Sequence, residues 1–401
     1  MLMNTSLRNG INWVGYIDWT INDFHGYQTE NGTTYNAYLI RDEKTALIDT
    51  VKSPYGNHLL RNISALTALE DIDYVVCNHA EPDHSGALPK VMAAMPNATL
   101  VCDKKCKTVL SKYYDISDWK IQIVETGNTI SLGKRTLQFI ETPMLHWPES
   151  MFTYVPEEKL LFSMDAFGQH YASSQRFDDE VPRETILQEA KIYYANIIMP
   201  YGKQTAKAVE QLSSFDIDMV APSHGLIWRN YLQELLQSYK DWAIFRAKPK
   251  VLIIYETMWN STSEMARSIF EGASIPGVDV KLIQISSSNL TRIATEILDA
   301  ATVAFGSSTL NAGMLPTVAT VLTYLKGLRP VGKAGFAFGS YGWGRGGPEA
   351  IDEYMKAMKW EILLGPLKAQ YRPTPEIRDE CFKAGKLLAT KAKDLAELRN
   401  G

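Results

Sequence analysis

The sequence predicts an α/β protein built from two domains, and two observations lead to this prediction. First, residues 12–245 contain many short β-rich runs with helical stretches between them, and several runs end on a polar residue that can bind a ligand. Second, five β–α alternations follow residues 247–250 within about 150 residues, which is typical of a doubly wound parallel sheet. We place the boundary near residues 248–250, so the expected domains are residues 1–248 and 249–401.

Composition narrows the class of protein. The 401 residues suffice for two or three domains with cores of their own, and the net charge of −4 argues against a nucleic acid or an anionic membrane as the main partner. No run reaches the roughly 18 to 20 apolar residues that a membrane helix needs, and the N-terminal segment MLMNTSLRNG lacks a signal-type apolar core. We therefore expect a cytoplasmic protein that does not enter membranes.

The cysteines exclude one group of cofactors. The four of them form no CxxC pair, which argues against a disulfide framework and against a cysteine-ligated iron–sulfur or rubredoxin-type site. Cys102 and Cys106 are four residues apart and could share a helix face, but we interpret them as small buried thiols.

The first domain is predicted from runs that alternate between strand and helix. Helical stretches are expected at residues 54–66 and 181–198. The strand candidates are TTYNAYLI (33–40), TALIDT (45–50), YVVCNH (74–79), TLVCD (99–103), TLQFIET (136–142) and KLLFSMD (159–165). Three of these runs deliver Asp49, His79 and Asp165 near their ends, which is how α/β proteins present functional side chains.

The second domain begins with the nearly continuous apolar run KVLIIYET (250–257), which fits a strand that is buried on both faces. Further strands are expected at residues 278–285, 302–308, 333–340 and 360–369. Helices are expected at residues 263–273, 293–300, 317–327, 350–358 and 376–398.

The strongest chemical signal is the run His79-Ala80-Glu81-Pro82-Asp83-His84, which places four metal-ligand side chains within six residues. If this run is an extended turn, alternate side chains can converge, so that His79 and Glu81 share one metal while Asp83 and His84 reach another. Any one of these residues alone would be read as an ordinary surface or core residue. Three more candidates lie at strand ends or in loops: His146, Asp165 and His224.

The order of these ligands resembles the metallo-β-lactamase superfamily, whose pattern is HxHxDH followed by distant His, Asp and His. This chain has HxExDH, with Glu81 in place of a histidine. A carboxylate is a harder ligand than an imidazole, so the change favours iron or manganese over zinc. That variant resembles the flavodiiron family.

A second set of residues points to a flavin. The loop after the first strand of the second domain carries Thr257, Trp259, Asn260, Ser261 and Thr262, whose hydroxyl and backbone N–H groups can cradle a phosphate. The alternative is a simple helix N-cap at Ser261 or Thr262.

Two later loops shift the balance towards a ligand site, because the C-terminal edge of a doubly wound sheet is where ligands bind. They contribute Ser308, Thr309, Leu310, Asn311 and Gly313, and Ser340, Tyr341, Gly342, Trp343 and Gly344. The absence of glycine in the first loop argues against a GxGxxG dinucleotide site. The stretch resembles a flavodoxin, which implies FMN.

The resemblance to flavodiiron proteins extends over nearly the whole chain. It is carried by GTTYNAYLI (32–40), MLHWPESMFTY (144–154), DAFGQH (165–170), YYANI (193–197), SHGLIWR (223–229), TMWNST (257–262) and FGSYGWG (338–344). The fold it implies is an N-terminal αββα metallo-β-lactamase-like domain followed by a flavodoxin-like domain.

The resemblance also implies the roles of the metal ligands. His79, Glu81 and His146 would bind one iron, Asp83, His84 and His224 would bind the other, and Asp165 and a hydroxo or oxo group would bridge them. Two ferrous ions, three carboxylates and one hydroxide form a neutral cluster, which can sit in a low-dielectric pocket without a large desolvation cost.

The implied reaction is the reduction of O2 to water, of NO to N2O, or of both, with electrons from an external donor such as rubredoxin or reduced deazaflavin. The family also implies a head-to-tail homodimer or a dimer of such dimers. His25 and Tyr193 (with Tyr194 beside it) resemble positions that can donate protons or hydrogen bonds to the bound gas, although a structural role accounts for them equally well.

Two other functions compete with this one. The first is a metallo-hydrolase with an accessory flavodoxin domain, against which Glu81 speaks because a carboxylate ligand favours iron or manganese over zinc. A zinc site would also leave the flavin without a role, because zinc has no redox chemistry. The second is an FMN electron-transfer protein with an inert, structural metal site, against which the complete ligand set speaks.

Overall fold

The computed structural model describes residues 5–398, and this part of the chain divides into two compact units. The first unit comprises the described chain up to Tyr194 together with Lys203–Lys240. The second comprises Ala195–Gly202 and the described chain from Asp241 onward. Both units are of the α/β class that the sequence predicts.

The first unit contains two sheets and the helices that cover them. Its strands are β1 (Thr5–Arg8), β2 (Ile11–Trp13), β3 (Tyr16–Asp18), β4 (Asp23–Phe24), β5 (Tyr27–Gln28), β6 (Thr33–Tyr35), β7 (Tyr38–Ile40), β8 (Thr45–Ile48), β9 (Ile72–Val76), β10 (Thr99–Cys102), β11 (Ile121–Ile123), β12 (Thr129–Ser131), β13 (Thr136–Glu141), β14 (Met151–Val155), β15 (Leu160–Phe162) and β16 (Met219–Ala221). Its helices are α1 (Gly56–Ser64), α2 (Pro82–Ser85), α3 (Leu88–Ala94), α4 (Lys104–Tyr113), α5 (Arg183–Tyr193), α6 (Gly202–Leu212) and α7 (Leu232–Ala243).

The two sheets of this unit pack face to face. Within the described residues, one sheet has seven strands in the order β1-β2-β7-β8-β9-β10-β11, and the other has five in the order β12-β13-β14-β15-β16. Apolar side chains of both sheets, such as Ile40 and Phe139, share one buried core. A second core joins the seven-stranded sheet to α1, α3 and α4, and Tyr239 of α7 packs on Phe167, which contacts Phe152 of β14. These layers confirm the αββα sandwich.

The second unit is a parallel sheet with flanking helices. Its strands are β17 (Lys248–Glu256), β18 (Asp279–Gln284), β19 (Ala300–Ser307), β20 (Thr309–Leu310), β21 (Gly313–Met314), β22 (Ala334–Tyr341), β23 (Glu361–Ile362) and β24 (Leu367–Gln370). Its helices are α8 (Ser261–Ala273), α9 (Leu290–Asp299), α10 (Pro316–Leu328), α11 (Gly347–Ala357) and α12 (Pro375–Leu398).

The strand order β18-β17-β19-β22-β23, with β24 also paired to β22, is that of a doubly wound sheet, and all these pairs are parallel. Seven consecutive residues of β17 are buried, as expected for a strand that is covered on both faces. None of the helices within residues 5–398 combines the length and the apolarity that crossing a bilayer would require.

Two expected strands are interrupted. The run at residues 33–40 divides into β6 and β7 because Asn36 leaves the sheet, with its side-chain amide donating to the carbonyls of Pro222 and Gly225. The run at residues 360–369 becomes two short edge strands, β23 and β24, which both pair with β22, and Pro366 between them has no N–H to donate to the ladder.

The expected helix at residues 181–198 also changes form. Its α-helical part is α5, and it continues as a π-helical turn over Tyr194–Ile198. Such turns are frequent at functional sites because they shift the register of the helix.

Candidate functional site

The metal-ligand run begins where β9 ends and turns into a short helix. His79 and Glu81 lie in the non-helical part, whereas Pro82 is the first residue of α2, which carries Asp83 and His84. Our expectation of an extended turn is therefore wrong for the second half of the run. Proline suits the first helical position, since its fixed φ fits and its missing N–H costs nothing there, so Pro82 starts the helix.

The first group of ligand atoms comes from four residues, His79, Glu81, His146 and Asp165, and these atoms all lie within 4.8 Å of one another. The Nε2 atom of His146 is 3.0 Å from Oδ2 of Asp165 and 3.3 Å from Oε2 of Glu81. The Nε2 atom of His79 is 3.2 Å from the same Glu81 oxygen. Four side chains thus converge from three segments, namely the segments that follow β9 and β15 and the loop between β13 and β14.

The second group consists of Asp83, His84 and His224, all buried and again within 4.8 Å of one another. Asp165 joins the two groups, because its Oδ2 faces His146 whereas its Oδ1 lies 3.0 Å from Nε2 of His84 and 3.4 Å from Nε2 of His224. The structure therefore brings all seven sequence-predicted ligands together, with one carboxylate between the two groups.

The polar atoms of the two groups are better placed to bind metal ions than to form hydrogen bonds with one another. Both oxygens of Asp83, both ring nitrogens of His84 and Oδ1 of Asp165 are buried without a hydrogen-bond partner. Several N···O distances among them are short, yet they lack the alignment of a hydrogen bond. Buried polar atoms that converge without satisfying each other are expected where metal ions complete their coordination.

The electrostatics of the two groups are strongly coupled. Burial raises the pKa of Asp165, but His84 and His146 outweigh it and hold this pKa well below its ordinary value. Burial lowers the pKa of His84, yet Asp165 and Asp83 raise it to about 9. Without metal, the carboxylates are thus balanced by protons on the imidazoles, and cations that replace those protons restore the same balance.

Two contacts outside the ligand set fix the histidine rings, and sequence reasoning missed both. Oε1 of the buried Glu149 lies 2.9 Å from Nδ1 of His79 and accepts from the backbone N–H of Ala80. The carbonyl of Thr34 lies 2.6 Å from Nδ1 of His224. A partner on Nδ1 leaves Nε2 free to bind metal. The only signal for Glu149 was its place three residues after His146 in HWPE.

His25 and Tyr193 lie on different sides of the ligand groups. His25 is largely exposed, and its Nε2 is 3.0 Å from Oε1 of Glu81. It lines a cavity of about 750 Å³ into which Glu81 and Asp83 also face. Tyr193 is buried, with its ring 6.0 Å from that of His224 and 4.9 Å from that of His170. Tyr194 packs against Tyr239 instead.

The second unit contains a cavity of about 700 Å³ at the C-terminal edge of its sheet. Its lining includes eleven of the residues expected to hold FMN: Trp259, Ser261, Ser308, Thr309, Leu310, Asn311, Ser340, Tyr341, Gly342, Trp343 and Gly344. Trp259 and Trp343 are 87% and 93% exposed, so each leaves a flat aromatic face open to a ring system.

The other four expected residues are not part of the cavity lining. Thr262 is buried, and its hydroxyl is 3.1 Å from that of Ser308 and 3.0 Å from that of Ser340. Three hydroxyls, from the first turn of α8, the residue after β19 and the end of β22, thus meet at the start of α8, where the N-terminal N–H groups favour an anion such as a phosphate. Thr257, Asn260 and Gly313 do not line the cavity.

Sequence reasoning missed four residues of this lining: Met258, Ala312, Tyr371 and Arg372. Tyr371 and Arg372 follow β24, so their position after a strand of the same parallel sheet was an available signal. Gly346, at the start of α11, has a φ of 137°, and a Cβ there would overlap the carbonyl of Ala312. Glycine is therefore required for two of the cavity loops to meet.

Comparisons with known proteins match both parts of the chain. Residues 33–225 match the family model described as "ODP family beta lactamase", and residues 253–385 match "Flavodoxin". The chain is 44% identical to a protein of Moorella thermoacetica named nitric oxide reductase, over 98% of this chain and 100% of that one. It is 42% identical to the rubredoxin-oxygen oxidoreductase of Megalodesulfovibrio gigas, over 92% and 93% of the two chains.

A solved structure is also similar. The crystal structure of the flavodiiron protein from Giardia intestinalis matches with a TM-score of 0.97 and 37% identity, and covers 100% of this chain and 99% of that one. With full-length relatives of this identity, with a flavodoxin domain that indicates FMN and with a His/Asp/Glu cluster suited to two irons, the chain belongs to the flavodiiron protein family.

Proposed function

We propose that this chain passes electrons from an external donor through FMN to a di-iron site that reduces O2 to water, NO to N2O, or both. The names of the relatives support this, since one is a nitric oxide reductase and another a rubredoxin-oxygen oxidoreductase.

The observation that carries the proposal is the shared carboxylate. His79, Glu81 and His146 would hold one iron, Asp83, His84 and His224 the other, and Asp165 has one oxygen towards each group. When bound, the irons supply redox and Lewis-acid chemistry, and FMN supplies storage for two electrons. A hydrolytic zinc pair would leave the flavin cavity without a purpose, because zinc has no redox chemistry.

Groups around the ligands hold the histidine rings in place and can supply protons or hydrogen bonds. Glu149 and the Thr34 carbonyl hold the rings of His79 and His224 in place. Burial raises the pKa of Tyr193 well above its ordinary value, so this hydroxyl keeps its proton and can donate a hydrogen bond. His25 faces Glu81 from the open cavity, where it can hold a proton at Nε2. His25 and Tyr193 are proposed to donate protons or hydrogen bonds to the bound O2 or NO.

Several further parts of the proposal rest on the family resemblance. Rubredoxin or reduced deazaflavin would be the donor, and a head-to-tail homodimer, or a dimer of such dimers, would be the assembly. Residues 1–248 would form the di-iron domain and residues 249–401 the FMN domain, in a cytoplasmic protein.

The test is anaerobic turnover with chemically reduced rubredoxin, offering O2 and NO separately, with metal and flavin content measured on the same sample. Two irons and one FMN per chain, with consumption of either gas, are expected, and the ratio of the two rates gives the preference. Zinc with esterase turnover would instead favour the hydrolase. Iron and FMN with no consumption of either gas would favour the electron-transfer protein.

A further inference from the structure

Three buried thiols lie together beneath the metal-ligand run. Cys77 directly follows β9, Cys102 is the last residue of the neighbouring β10, and Cys106 lies in the first turn of α4. They are at most 3% exposed. Spacing along the chain does not link Cys77 with the other two, because the fold alone brings β9 and α4 together.

Two of these thiols, Cys77 and Cys106, are in direct contact. Their sulfur atoms are 3.6 Å apart, with the Cys106 thiol directed at Cys77, and the Cys77 thiol in turn donates to the carbonyl of His79 at 3.2 Å. Among residues 5–398, the three sulfurs are not grouped closely enough to form a metal-binding trio. The arrangement therefore favours a reaction between the two thiols over the binding of a soft metal ion by all three.

A disulfide is within reach of this pair. A disulfide bond is about 2.05 Å long, so the two sulfurs must approach by roughly 1.5 Å. The Cys106 backbone is held by its N–H bond to the Asp103 side chain, which caps α4, and the Cys77 backbone by its N–H bond to the Val101 carbonyl. Because both backbones are held, the two sulfurs must approach mostly through rotation of their side chains and through movement of the segment that follows Cys77.

We propose that Cys77 and Cys106 form a reversible dithiol–disulfide pair that hydrogen peroxide oxidises, and that this oxidation weakens retention of the metal bound by His79. The contacts with Cys102 and Cys77, together with burial, raise the pKa of Cys106 well above its ordinary value, so the first step is slow. One thiol gives up its proton and its sulfur attacks peroxide, so that the O–O bond breaks, an S–OH bond forms and the proton leaves with the displaced hydroxide as one water. In the second step the partner thiol displaces a second water and the S–S bond forms. Peroxide accepts the two electrons that the thiols lose.

The coupling to the metal site runs through the backbone between Cys77 and His79. Oxidation removes the S–H that donates to the His79 carbonyl, and it draws the start of the ligand run towards α4. Since the ligand geometry depends on such supporting contacts, we expect metal release to become about tenfold faster in the oxidised protein.

The experiment uses the full-length, metal-loaded and FMN-loaded protein, treated with hydrogen peroxide and then with catalase. Free thiols are alkylated under denaturing conditions, and peptides are analysed by mass spectrometry. A peptide linking Cys77 to Cys106 that disappears after dithiothreitol is expected. All four cysteines alkylated as before treatment, or a link between Cys102 and Cys106 instead, would overturn the proposal.

Iron release to a chelator gives the second readout. Cys102→Ala, the matched control, should form the same link and release iron as the wild type does after peroxide. Cys106→Ala cannot form the link, so its iron release should show only the direct effect of peroxide on iron and stay about tenfold slower. Equal release from Cys106→Ala and wild type would refute the coupling, and the wild-type peptide result stands even if a variant fails to fold.

Discussion

Glu149 supports the first metal site from outside the ligand set, and its removal should be measurable as lost iron. In Glu149→Ala, the N–H groups of His79 and Ala80 lose the carboxylate that accepts from them. This contact is buried, since Glu149 is only 1% exposed. Leaving buried donors unpaired costs about 1–3 kcal/mol. Loss of such a supporting contact typically weakens metal binding by about 10–100-fold. The free energy that corresponds to this change is similar to the cost of the unpaired donors. We therefore expect iron affinity to fall by about 30-fold.

The assay is dialysis of the loaded protein against a graded chelator, followed by iron and FMN content per chain. Glu149→Gln keeps an acceptor oxygen at the same reach, so it should retain iron within about fivefold of wild type. Exposed Glu70 provides the matched control, and Glu70→Gln should behave as wild type. FMN should be unchanged in all three variants. Wild-type iron retention in Glu149→Ala would show that the ring of His79 is held by packing alone.

Three further predictions concern the two sites and the core. His146→Asn should lose iron and activity but retain FMN, and wild-type iron content in that variant would remove His146 from the ligand set. Thr262→Ala removes the hydroxyl that Ser340 contacts, so FMN affinity should fall by about 10-fold or more while iron content stays unchanged. Burial raises the pKa of Glu189 from 4.5 to about 7 in spite of the hydrogen bond from Asn31, so the folded chain holds a proton there that the unfolded chain has released. The free energy of unfolding should therefore fall by about 3 kcal/mol as the pH rises through this window, and denaturant titrations of Glu189→Gln should show no such fall.

The convergence of these seven side chains could be predicted because metal chemistry restricts residue types so tightly. Few patterns other than a metal site place His, Glu, Asp and His within six residues, and the strand that precedes them could be identified from its apolar run. The loops around the second cavity could be predicted for a related reason, since each follows a strand of one parallel sheet. In both cases local sequence and the rules of α/β topology determine the answer.

The supporting residues could not be predicted, because they act through contacts that only the fold creates. Glu149 is one of many carboxylates, and nothing local distinguishes it from Glu141 or Glu157 until β14 brings it against His79. Thr34 contributes a backbone carbonyl, which any residue type supplies equally. The helical turn at Pro82 was missed since ligand spacing alone fits an extended chain and a short helix equally well.

Residues 195–202 belong to the second unit although the chain on both sides of them belongs to the first. Asn196, within this segment, accepts a hydrogen bond from the Tyr324 hydroxyl at 2.8 Å and donates to the Thr291 carbonyl. The FMN half of this protein is thus encoded in two separate stretches of the gene. A chimaera that exchanges flavin halves between relatives must transfer both stretches together, since a single junction near residue 240 would pair one parent's Asn196 with the other parent's α9 and α10.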